Sequence, residues 1–106
     1  MRIIEINDEE IRFDNGEYIS YSHYQDCCEC NYADFSQLDD IARNAEFSAP
    51  LDFEFLEEQG FRFGNLPNQM FFVPCYSVQN GYYSSDIQIE YNGETVLNGN
   101  CEERYC

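Results

Sequence analysis

The sequence reads as an α+β domain, an antiparallel β-sheet of hairpins with one or two short helices packed on one face. Three observations carry that expectation. Short alternating runs rich in β-branched and aromatic residues dominate the chain, Asn-Gly dipeptides punctuate them, and one stretch alone has a helical apolar period. At 106 residues the length suits a single domain, 1–106, with 98–106 as a loosely attached tail.

Residues 2–7 are short and β-branched, a first strand. Residues 11–14 lead into Asn15-Gly16, and 17–24 alternate as a pleated segment does. Asn-Gly between two such runs predicts a type I′ hairpin, which needs positive φ at both central positions. The same dipeptide recurs at Asn80-Gly81, Asn92-Gly93 and Asn98-Gly99. The first two of these separate strand-like runs at 70–78, 82–91 and 94–97, which predicts an antiparallel meander. Pro74 within the first run argues for an edge strand or a bulge there.

The helix falls after Ser36. Ser36 can cap it with Asp39 three residues on, and Leu38, Ile41, Ala42 and Ala45 form a narrow apolar stripe. Asp39 and Asp40 stand in the first turn, where the helix dipole favours carboxylates. Residues 49–60 carry two patterns. Leu51, Phe53 and Phe55 alternate like a strand, but Pro50, Glu57-Glu58-Gln59 and Gly60 resemble the start and stop of a helix, and these tip the reading to helix. Phe61-Arg62-Phe63 is then a short strand, and Asn65-Leu66-Pro67-Asn68 a turn.

Charge is the most extreme property. Twenty-one Asp and Glu oppose five Arg and no Lys, a net charge of -16. A small domain ordinarily stays within about 8 units of neutrality, and the surplus costs stability through self-repulsion. Phosphate backbones would be repelled, so direct nucleic-acid binding is not expected. A basic groove that holds nucleic acid would instead attract the chain. The plain alternative is that the acidic surface serves solubility. Nine Tyr and nine Phe supply an aromatic core and argue against disorder. The opening residues turn acidic before an apolar targeting region forms, and no run reaches the ~18 residues of a membrane span. A cytoplasmic protein without membrane contact is expected, its six cysteines reduced or metal-bound.

Chemistry concentrates in 23–30, which hold the only His, three Cys and two carboxylates. Zinc prefers thiolate and imidazole in tetrahedral sets, so His23, Cys27, Cys28 and Cys30 are candidate ligands, with Cys101 and Cys106 as a second thiolate pair. The structural reading is simpler. On a strand Cys27 or Cys28 would be a small core residue, and His23 would hydrogen-bond with Asp26 to fix the loop. A Cys/His nucleophile is the enzymatic alternative, but Asp26 and Glu29 would raise the thiol pKa and no oxyanion-hole motif accompanies it. No phosphate loop, G-x-S-x-G or H-E-x-x-H is present. Asp39-Asp40 and Glu57-Glu58 read as solvated helix faces, and Tyr82-Tyr83 as cross-strand packing.

His23 to Glu29, followed by Tyr32, resembles the H-x-x-D-C-C-E-x-x-Y signature of an uncharacterised family of small phage and prophage proteins. Asn80-Gly81-Tyr82-Tyr83-Ser84 resembles the family's late N-G-Y-Y-S turn. The two motifs cover roughly residues 15–95. The resemblance implies an α+β sheet and no assigned activity, and Cys30, Cys101 and Cys106 depart from the pattern. Any site the family shares would use His23, Cys27 and Cys28. Small acidic phage proteins often block host defences by occupying nucleic-acid grooves, an analogy that sharpens the meaning of the charge.

The expected function is a non-enzymatic acidic phage-type binding protein, such as an anti-CRISPR or other nucleic-acid mimic. It would occupy a basic protein surface, for example the nucleic-acid channel of a host defence nuclease. Asp8, Glu9 and Glu10 and the group Glu54, Glu57 and Glu58 are the densest acidic patches, with aromatic anchors expected beside them. The alternative is a small zinc-binding or thiol-dependent module centred on His23, Cys27 and Cys28.

Overall fold

The structure, a computed structural model, describes the chain apart from residues 24–29, 39, 49, 66–68, 80–84 and 106. Among the described residues the regular elements are ten strands, one five-residue α-helix and a 3-10 turn at Phe35–Gln37. The strands are β1 (Ile3–Ile6), β2 (Glu10–Phe13), β3 (Tyr18–Ser22), β4 (Cys30–Ala33), β5 (Asp52–Leu56), β6 (Gly60–Asn65), β7 (Gln69–Gln79), β8 (Asp86–Tyr91), β9 (Glu94–Asn100) and β10 (Glu102–Tyr105), and α1 is Asp40–Asn44. The protein is therefore all-β, not α+β.

One sheet runs β1-β2-β3-β8-β9. The second runs β10-β7-β6-β5, with β4 also on β7. Every pairing is antiparallel except β10 on β7, which is parallel. The alternation of each strand explains the packing, because every second side chain turns to the shared interior. Ile11, Phe13, Ile19, Ile87 and Ile89 come from the first sheet and Ala33, Phe61, Phe63, Val73 and Cys75 from the second, and all are buried in one core. Phe47, outside any element, joins the two. Its ring centroid lies 5.8 Å from Phe13, 5.7 Å from Phe63 and 5.7 Å from Phe71, within the range of favourable aromatic pairs.

The expected helix shrinks because its cap is not Ser36. The Asp34 carboxylate accepts from the Ser36 backbone N–H at 3.1 Å and from the Gln37 side chain at 3.1 Å, starting a 3-10 turn earlier. Leu38 is then extended, with ψ of 132°, so the helical period breaks inside the stripe. Ala42 is buried, while Leu38 and Ala45 are only partly covered. A helix this short has too little face to stand without tertiary support. Asp39 lies outside the described residues.

Residues 52–56 are strand, overturning the helix reading. The apolar alternation decides it: Phe53 packs on Tyr91 with centroids 5.6 Å apart, and Phe55 lies against Gly99 of β9. The supposed helix stop is a hairpin turn, in which Gln59 N–H donates to Leu56 O at 3.0 Å and Glu58 takes the positive φ of 63°.

The hairpins divide. Asn92 and Gly93 both have positive φ, 53° and 86°, as a type I′ turn requires. At the first hairpin only Gly16 does, and Gly16 N–H donates to Phe13 O at 3.1 Å, making a three-residue turn instead of type I′. The meander is also corrected. β8 and β9 pair, but β7 belongs to the other sheet, so the chain changes sheets between them. Asn80-Gly81 lies outside the described residues, as do 66–68 of the expected turn; β6 and β7 pair on either side of the latter.

Pro74 sits in β7, which has strand neighbours on both sides over most of its length. Its carbonyl accepts from Asp34 N–H at 2.8 Å, whereas Cys75 N–H donates to Gln59 O at 3.0 Å, so the two residues address opposite edges. The proline nitrogen therefore faces the β4 edge, one step beyond the last β4 pair, Ala33 with Cys75. Strand β7 is locally an edge there, and no ladder bond is lost. The segment expected as a loose tail is tied in through residue 105: β10 pairs with β7 and Cys101 is fully buried. No helix among the described residues is long and apolar enough to cross a membrane.

Candidate functional site

Strand β7 separates two environments. Its inward residues pass from Phe71, Val73 and Cys75 to the buried polar pair Ser77 and Gln79. Its outward residues are Met70, Phe72, Pro74, Tyr76 and Val78, of which Phe72 is exposed, Met70, Tyr76 and Val78 are half-buried and Pro74 is buried. Phe72 is 43% exposed. Cross-strand pairing sets Arg62 beside Phe72, Tyr32 beside Tyr76, and Glu102 on the other side of Tyr76. Paired residues share a face, so aromatics and carboxylates form one outer surface.

A depression of about 230 Å³ opens on this surface, lined by Phe72, Pro74, Tyr76, Glu58, Gln59 and Glu102. The Tyr76 ring meets Tyr32 at a tilt of 52° with centroids 5.8 Å apart, and the Arg104 guanidinium lies 4.2 Å from the Tyr76 ring centroid. Tyr32 in turn lines a second cleft with Asp8, Tyr21 and Asp34. The tyrosine pair thus connects the two acidic regions marked in the sequence. Burial, chiefly, raises the pKa of both Tyr21 and Tyr32. Cys30, Glu9 and Asp8 add to this at Tyr21; at Tyr32, Asp34 and Cys30 add and Arg104 opposes.

The expected acidic residues play unequal parts. Glu58 projects into the depression. Glu57 instead accepts from Asn100 N–H at 3.1 Å and holds the end of β9, and Glu54 pairs with Arg62 at 2.5 Å. Asp8 and Glu9 lie in the β1–β2 turn, and Glu10 opens β2. There the Asn7 side chain accepts from the Glu9 and Glu10 N–H groups, Tyr21 Oη donates to Asp8 O at 3.2 Å, and Glu10 meets Arg12 at 3.1 Å. Phe72 and Tyr76 do not stand out as surface residues in the sequence. Their signal was an apolar pattern on both faces of 70–78, which marks a strand with work on each side.

The inner end of β7 holds the described part of the His23 region. Ser77 Oγ donates to Asn31 Oδ1 at 2.5 Å, Gln79 donates to Ser77 at 2.5 Å, and Asn31 donates to Asp86 O at 2.8 Å. His23 Nδ1 lies 3.3 Å from Asn31 Nδ2 and 3.4 Å from Asp86 Oδ1, with the ring 5% exposed. This nitrogen serves one neighbour at a time: unprotonated it accepts from Asn31, protonated it donates to Asp86. Cys27 and Cys28 lie outside the described residues. Cys30 pairs with Val78 on the outer face, whereas Cys101 is buried on the inner one, so those two do not share a ligand set. Among the described residues no group of three or more His, Cys, Asp or Glu is gathered as for a metal.

No family model, curated protein or solved structure matches this chain.

Proposed function

We propose that the protein is a non-enzymatic acidic binding protein that docks the outer face of its second sheet on a basic protein surface, such as the nucleic-acid channel of a bacterial defence nuclease. The observation that carries this reading is the Tyr32–Tyr76 pair set between two acidic groups, beside the exposed Phe72, on a chain of net charge -16. Aromatic residues supply anchors that lose little entropy on binding. Carboxylates at the rim steer a cationic partner and set the salt dependence. Arg104 now occupies the face of Tyr76, the place a partner arginine would take.

The test is displacement of labelled duplex DNA from purified defence nucleases, followed by fluorescence anisotropy. Displacement should weaken about 100-fold between low and moderate salt, because screening shortens the reach of the carboxylates. Tyr76→Ala should cost about 10-fold or more, and Arg104→Ala should tighten binding. Displacement that ignores salt and both substitutions would refute the proposal.

A second reading keeps one specific observation. A carboxylate at the second nitrogen of a histidine is the arrangement that orients metal-ligating imidazoles, and Asp86 stands there for His23. Elemental analysis of protein purified without added metal decides it. Stoichiometric zinc lost on Cys27→Ser would favour a zinc module over the docking surface.

A further inference from the structure

Cys75 and Cys101 are fully buried free thiols from distant parts of the chain. Strand β10 runs parallel to β7 with Glu102 opposite Tyr76, so the register one step earlier sets Cys101 beside Cys75. Neighbouring strands lie about 4.8 Å apart, inside the Cα separation of ~4.4–6.8 Å that a disulfide spans. The Cys75 thiol donates to Val73 O at 4.0 Å. Both backbones are held, Cys75 N–H by Gln59 O at 3.0 Å and Cys101 N–H by Ser85 O at 2.7 Å. A cleft of about 390 Å³ reaches Cys101 between Glu58, Ser85, Glu102 and Glu103. Its carboxylates repel anionic oxidants and admit a small neutral one.

We infer that Cys75 and Cys101 form a dithiol–disulfide site whose oxidant is a small neutral peroxide, and that oxidation clasps β10 onto β7. Cys101, at the cleft, gives up its proton and its sulfur attacks one peroxide oxygen. The O–O bond breaks, the departing oxygen leaves as water with that proton, and Cys101 becomes a sulfenic acid. The Cys75 sulfur then attacks the sulfenic sulfur. The S–O bond breaks, the S–S bond forms, and a second water carries away the Cys75 proton. Two thiols lose two electrons, and the peroxide gains them. The neighbouring Cys101 thiol, chiefly, and burial push the Cys75 thiol up. That holds Cys75 as a thiol until the second step, in which its proton must leave as its sulfur attacks.

The full chain is treated with hydrogen peroxide, alkylated with iodoacetamide in denaturant, and mapped by peptide mass. The expected product links Cys75 to Cys101 and unfolds about 5 °C or more above the reduced protein, because the new ring spans the β8–β9 hairpin. Dithiothreitol should return the midpoint to its starting value in the wild-type chain, and Cys101→Ser should abolish both link and shift. Recovery of Cys75 and Cys101 as alkylated thiols after Cys30 has oxidised would overturn the inference. So would linkage of either to a different cysteine.

Discussion

Gly99 stands inside β9, and its missing side chain lets the Phe55 ring of the other sheet lie across the strand. A Cβ at that position would overlap the ring, so Gly99→Ala should cost about 1–3 kcal/mol, as overpacking does. Urea unfolding measures this, and Phe55→Leu in the same background should return part of the loss. An unchanged midpoint in Gly99→Ala would mean the two sheets do not close here. The residue was visible in the sequence only as a repeated Asn-Gly, which suggests a turn. Its real constraint is a neighbour more than forty positions away, and no local pattern encodes that. Cys101 is a similar case: with Cys106 it was a candidate second thiolate pair, whereas its burial beside Cys75 follows from strand register.

At the scale of the element, the stretch after Ala33 shows one cap prevailing over another. Ser36 and Asp34 are both good cap residues. Asp34 prevails because its carboxylate takes donors from both Ser36 and Gln37. The Ser36 hydroxyl, chiefly, holds the Asp34 carboxyl below the usual range, with help from Gln37 and the Ser36 N–H, while partial burial opposes them. A depressed folded pKa adds stability that is present above the unfolded value of 3.8 and lost as pH falls through the folded one. Asp34→Asn should therefore destabilise near neutrality by about 0.5–2 kcal/mol. The gap from wild type should close in acid, as followed by denaturant titration at several pH values. A gap that persists in strong acid would remove the carboxylate from the explanation. Strand β5 fits the same scale, since its alternation was legible while its Glu-Glu-Gln-Gly ending mimicked a helix stop.

For the whole molecule, a net charge of -16 is distributed over 6103 Å² of accessible surface. That spacing is roughly 20 Å between net charges, below the ~30 Å screening length at 0.01 M salt and well above the ~8 Å length at 0.15 M. Self-repulsion should therefore be relieved mostly before physiological ionic strength. Thermal unfolding should shift upward between 0.01 and ~0.15 M sodium chloride and change little beyond it. A midpoint independent of salt would show that the surplus charge does not strain the folded state, since the Arg–carboxylate pairs leave the net -16 in place. Those pairs, Arg2–Glu46, Arg12–Glu10, Arg62–Glu54 and Arg104–Glu102, are all at least partly exposed and individually weak.

The acidic field, the aromatic supply and most strand positions follow from the sequence by itself, because charge is a sum over residues and a strand's two-residue period is local. Tertiary structure decided what depends on which strands meet. It assigned β7 and β8 to different sheets, reduced the helix to five residues, gathered Phe72, Tyr76 and Glu102 on one face, and set Cys101 against Cys75. Each of these is a contact between residues far apart in the chain, fixed by burial of the shared core rather than by any neighbouring residue's preference.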